Sequence, residues 1–165
     1  STFDKLREET PNLSARMDAL RAAVLRPQLS LIDGKVTTWN HLHEAVQAPL
    51  MQSNLIQLPE TLRGELRVGS SLQFRVPSFD AHQCRTLLRL TRGAGVELKW
   101  FGDPEPHGFT SRHTSWRYLF AQDLPQTDGI LSTLFDMRLP LTFSEADCTL
   151  IGEIIRDSVT EASIR

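Results

Sequence analysis

Apolar residues recur at helical spacing over residues 15–48. Met17, Leu20 and Val24 form one short stripe, and Leu25, Leu29, Ile32, Val36, Trp39, His43 and Val46 continue it at intervals of three or four, the repeat of one helix face. Pro27 removes a backbone donor and is expected to bend or divide the helix, and Pro49 to end it. A helix this long outruns what a small domain can cover. The pattern therefore predicts that it bridges two packed bodies or joins a subunit interface.

Residues 53–70 lack a clear period, although Leu62 and Leu66 permit one helical turn. In "SLQFRV" (71–76) Leu72, Phe74 and Val76 alternate with Gln73 and Arg75, which predicts a half-buried strand. Ser78 or Asp80 is positioned to cap a helix reaching about residue 92, whose apolar stripe is Cys84, Leu87, Leu88 and Thr91. The "GAG" at 93–95 supplies its stop, because glycine tolerates the left-handed conformation found there. "VELKWF" (96–101) alternates again, so the segment reads as a β-α-β unit. After a long connection over 102–125 come a short helix near 126–134, a strand near 136–140, and a last helix. Ser144 and Asp147 have capping-box spacing at its start, and Cys148, Ile151, Ile154 and Ile155 mark its buried face.

Composition narrows the function classes. With 165 residues, 40% of them hydrophobic, and a net charge of −2, the chain suits one soluble domain. It carries no charge block of the kind that grips nucleic acid by its phosphates. No apolar run approaches the roughly 20 residues needed to span a bilayer, and no membrane role is expected. Cys84 and Cys148 lie in helical apolar patterns and are expected to be buried free thiols, which suits a cytoplasmic location. The basic residues are fifteen arginines and three lysines, Lys5, Lys35 and Lys99. Any chemistry needing a lysine amine within this chain must use one of those three.

Motifs for self-contained catalysis are missing. His41 and His43 stand two apart on a helix and diverge, as do His82 and Cys84, so no metal site is expected. There is no nucleophile elbow and no phosphate-cradling glycine loop after a strand; the glycines at 93–95 end a helix instead. The 102–118 connection alone has the composition of a site. It holds His107, Arg112, His113 and Arg117 among Phe109, Trp116 and Tyr118, which suits a phosphate or nucleotide held by charge and stacking. It equally suits a solvated loop whose aromatics pin it to the core.

Two segments resemble a known family. "ARMDALRAAVLRPQLSLID" (15–33) resembles the stretch that follows the cofactor lysine in aminotransferases of the DegT/DnrJ/StrS type, the sugar aminotransferases of fold type I. The matching positions are Arg16, Met17, Ala22, Ala23, Gln28, Leu29, Ile32 and Asp33. "LPQTDGILSTLFDMRLPLTFSEADCTLIGEIIRDSV" (124–159) is similar to that family's C-terminal signature. The strand, helix and "GVELKWF" between them follow the family's small-domain order. The resemblance runs collinearly from residue 15 to residue 159.

This resemblance implies an α/β (α+β) fold: a long N-terminal helix, then a small three- to four-stranded, mainly antiparallel sheet flanked by helices. Residues 1–14 would be a remnant of a preceding large domain, 15–50 the connecting helix, and 51–165 the C-terminal small domain. The large domain would carry pyridoxal phosphate (PLP) and the Schiff-base lysine, upstream of Ser1. The intact enzyme would aminate a keto-sugar, commonly nucleotide-linked, as a homodimer, and this chain would be inactive alone. The substrate or cofactor-phosphate vicinity would fall near Asn12, Ser14, Arg16, His107, Arg112 and Arg117. Two departures stand out. The family's Asn two positions before its Arg-Met pair, which reaches the partner subunit's cofactor phosphate, is Ser14 here, with Asn12 two residues earlier. The family's "YP-x-P-L-H" loop reads "FGDPEPHGF", with Phe101 near the Tyr position and His107 standing for the His. The alternative is an independent α/β ligand-binding or regulatory domain derived from such enzymes, using residues 107–118 as its ligand site.

Overall fold

The computed structural model describes residues 17–105, 112–116, 118–120 and 122–164. The predicted long helix forms in three pieces. Helix α1 (Ala19–Leu25) is capped by Asp18, whose side chain accepts from the Arg21 N–H. A 3₁₀ segment (Arg26–Leu31) follows with Pro27 in its first turn, and α2 (Ile32–Leu50) completes the run. Pro27 thus divides the helix as expected. Pro49 does not end it at residue 48; α2 continues to Leu50 with Pro49 inside its last turn and buried.

Strand β1 (Ser71–Arg75) leads to α3 (Ala81–Gly93). Asp80 caps α3 through a reciprocal capping box with Gln83, satisfying donors that a helix start leaves free. Gly95 leaves the helix at φ +85°, a region that favours glycine. The Val96 N–H still donates back to the Thr91 carbonyl at 2.8 Å. Val96 thus remains tied to the helix end, and β2 is only Lys99–Trp100, shorter than the 96–101 alternation predicts. Helix α4 (Pro125–Leu131) and β3 (Leu134–Arg138) follow. Helix α5 (Glu145–Ile164) begins at the expected box: the Asp147 N–H donates to Ser144 Oγ at 3.1 Å, and the Ser144 N–H donates to the Asp147 carboxylate at 2.8 Å.

The sheet order is β1-β3-β2, antiparallel at both pairings. The β-α-β unit is therefore split, with the chain's last strand inserted between its first two. Leu72, Phe74, Phe135 and Trp100 share one sheet face and are buried against the helices, and the Phe74 and Phe135 rings stack 5.3 Å apart. Helix α5 packs against both α2 and α3. Cys148, Ile155, Val159 and Ala162 are its buried apolar positions, while Ile151 and Ile154 are only half-buried. At the α2–α5 crossing a Cβ on Gly152 would lie 2.5 Å from the Val46 carbonyl oxygen and 3.0 Å from the Pro49 ring. Only glycine lets the backbones approach so closely.

The long apolar stripe divides in two. His43 and Val46 are buried, and Trp39 is held by its indole N–H, which donates to the Leu139 carbonyl at 2.8 Å. Leu20, Val24, Leu25, Leu29 and Ile32 are between 45% and 75% exposed, and α1 buries nothing. Among the described residues no helix is long and apolar enough to cross a membrane.

Candidate functional site

The predicted site residues are spread unevenly between described and undescribed parts of the chain. Asn12, Ser14, Arg16, His107 and Arg117 lie outside the described residues, as does Phe109. Arg112 and His113 are described, and both side chains are engaged by other described residues. Arg112 donates through Nη2 to the Gly102 carbonyl at 2.6 Å. His113 Nε2 stands 3.0 Å from Asp128 Oδ1 at the start of α4. Both side chains fasten the loop, one to the exit of β2 and one to α4. Trp116 and Tyr118 stack on each other with ring centroids 6.3 Å apart and remain 41% and 37% exposed. These aromatics are not seated in the core.

A concavity adjoins β2 on its α3 side. A groove of about 530 Å³ runs between α3 and the 97–103 segment. One wall is Arg85, Arg89 and Arg92, on successive turns of α3, all exposed. Spacing of four and three residues puts them on one helix face. The opposite wall carries Lys99 with Glu97 and Asp103, and Leu88 and Leu98 contribute apolar floor. Trp100 is only 4% exposed; its indole N–H donates to the Ser132 carbonyl at 2.8 Å, and the Arg85 guanidinium lies 5.7 Å from the ring centroid. A fixed ring under a guanidinium orients it by a cation–π contact. The sequence reading missed this face because it followed the apolar stripe of the same helix. The arginine period of four and three was the signal.

The cysteines are buried free thiols. Burial foremost, with the Asp80 carboxylate nearby, pushes the Cys84 thiol up to about 12, so it is not a thiolate nucleophile at neutral pH. Burial also raises Cys148. His41 is exposed and stands 2.9 Å from Glu145, whereas His43 is buried. Among the described residues no group of three or more histidine, cysteine or acidic side chains is placed to hold a metal ion.

No protein-family model matches the chain, and no curated protein matches it by sequence. Solved structures do share its fold. It superposes on 3-amino-5-hydroxybenzoic acid (AHBA) synthase with a TM-score of 0.66 at 20% identity, covering 85% of this chain and 38% of that one. With an aminotransferase, TlmJ, from Streptoalloteichus hindustanus the TM-score is 0.70 at 15% identity, covering 86% of this chain and 36% of that one. With a DegT DnrJ EryC1 StrS aminotransferase from Brucella abortus it is 0.63 at 18%, covering 86% and 36%. The chain spans a little over a third of the length of each, and at this identity the likeness is one of fold. The resemblance read from the two sequence segments and the α/β fold class with its three-stranded antiparallel sheet agree with it.

Proposed function

We propose that this chain is the small domain and connecting helix of a PLP-dependent aminotransferase acting on a keto-sugar, nucleotide-linked in the usual case. It would shape substrate closure and dimerisation beside a cofactor domain that precedes it in sequence. The observation that carries this reading is the uncovered stripe of Leu20, Val24, Leu25, Leu29 and Ile32, at the head of a fold shared with aminotransferases more than twice as long. Apolar residues grouped along an exposed helix mark a surface that another body covers.

The described residues do not themselves fit PLP. A Schiff-base lysine needs an enclosed site with an acidic partner for the pyridine nitrogen and a face on which the ring can rest. Lys35 is on α2 beside the uncovered segment. Lys99 is on a two-residue edge strand, and the neighbouring Trp100 ring is buried beneath Arg85 rather than open for stacking. When bound in the intact protein, the cofactor supplies the electron sink for amino transfer. Bound lysine, acid and phosphate donors would come from the preceding domain.

The test is borohydride reduction of this 165-residue chain with PLP, followed by peptide mapping. The expected result is no stoichiometric, site-specific pyridoxyl adduct on Lys35 or Lys99 and no transamination. A single saturable adduct on either lysine would overturn the assignment of the cofactor to a preceding domain. The competing reading, an independent ligand-binding domain, draws on the arginine-lined groove and requires no cofactor domain.

A further inference from the structure

Helix α3 contains three arginines and not one acidic residue. Arg85 and Arg89 stand four apart, and Arg89 and Arg92 three apart. Like charges at those spacings oppose helix formation. Arg92 in the last turn gains from the helix dipole, but Arg85 and Arg89 do not. None of the three forms an ion pair with another described residue; the ion pairs there belong to Arg21, Arg67, Arg156, His41 and His113. The fold therefore concentrates positive charge on one face, and apart from the Arg85–Trp100 ring contact no described residue engages it.

We infer that the groove between α3 and the 97–103 segment binds a small phosphate-bearing molecule, its phosphate groups held by Arg85, Arg89 and Arg92. A guanidinium offers paired donors that match phosphate oxygens. From Arg85 to Arg92 the helix rises about 10 Å, enough for a diphosphate to engage more than one arginine. Arg85 is already oriented by the Trp100 ring. The facing carboxylates, Glu97 and Asp103, decide the size of the ligand. They would repel a long polyanion such as a nucleic-acid strand but can accept hydrogen bonds from ligand hydroxyls. The about 530 Å³ available suits a small molecule, and Leu88 and Leu98 give a ring or other apolar part somewhere to rest. The groove opens on the α3 side of β2, and its binding is a property of this chain by itself, whether or not a cofactor domain precedes it.

The test is calorimetric titration of the full chain with inorganic pyrophosphate at low ionic strength. Saturable one-to-one binding is expected. Arg89→Ala and Arg92→Ala should each weaken it about tenfold or more, the loss typical of a charge-assisted contact. Both side chains are exposed and unpaired among the described residues, so neither change should lower the unfolding midpoint. Arg89→Lys keeps the charge but removes the fork and should fall between wild type and Arg89→Ala. Arg63→Ala, an exposed arginine outside the groove, should bind as wild type does. Absence of saturable binding, an unchanged Arg89→Ala, or an equal loss in Arg63→Ala would overturn the inference.

Discussion

His43 is where mild acid should first weaken this fold. Burial foremost, and the Arg67 charge next, hold its pKa below the ordinary 6.5; Glu44 and Gln47 oppose them less strongly. The unfolded chain then takes up the proton more readily than the native state. The stability that His43 contributes is thus present above pH 6.5 and is lost as pH falls from there through the lowered native value. Urea midpoints should decline from neutral pH into the mildly acid range, and the decline should be shallower in His43→Gln. An identical slope in the two proteins would contradict this account. Glu65 and Asp147, whose hydrogen bonds hold them below 4.5 and 3.8 respectively, act only at lower pH. Sequence and structure part company most at single side chains. Arg112 and His113 had the right chemistry for a ligand, yet the Gly102 carbonyl at the head of the same connection and Asp128 in α4 take them up, pairings that composition does not reveal. Arg85, Arg89 and Arg92 were legible as a period, but what makes them a wall is the return of β2 alongside α3, a tertiary event.

At the scale of elements, periodicity and caps were good guides. Asp80 with Gln83 and Ser144 with Asp147 start helices where their spacing places them. β2 was misjudged because alternation reports burial, and Val96, Leu98 and Trp100 are indeed buried, while pairing requires free backbone. The turn through Gly95 ties the Val96 N–H to α3. The 19–32 segment poses the opposite problem: its apolar pattern is sound, but its covering surface is not among the described residues. In the isolated chain, Leu25→Gln combined with Leu29→Gln should change unfolding stability by no more than about 0.5 kcal/mol, as at other uncovered positions. The same pair should suppress concentration-dependent association measured by light scattering. Destabilisation of several kcal/mol, the size seen when a buried leucine is lost, would mean that the chain covers this stripe itself.

For the whole molecule, the central claim is that this fold works as one part of a larger catalytic body. Three features support it: the collinear resemblance, the fold shared over a little over a third of each aminotransferase, and the uncovered stripe. The fold class was legible because the two collinear segments resemble a family with a small antiparallel sheet; strand, helix and strand spacing alone gives only a β-α-β unit. The substrate was not, because the residues that would meet it belong to loops whose partners lie elsewhere. The most direct test is the intact mass of the natural gene product, freshly isolated and reduced with borohydride. The account predicts a species well above 18.7 kDa carrying one pyridoxyl group on a lysine N-terminal to Ser1. A natural product of 18.7 kDa with no such group would contradict it and leave the arginine-lined groove as the place to look for function.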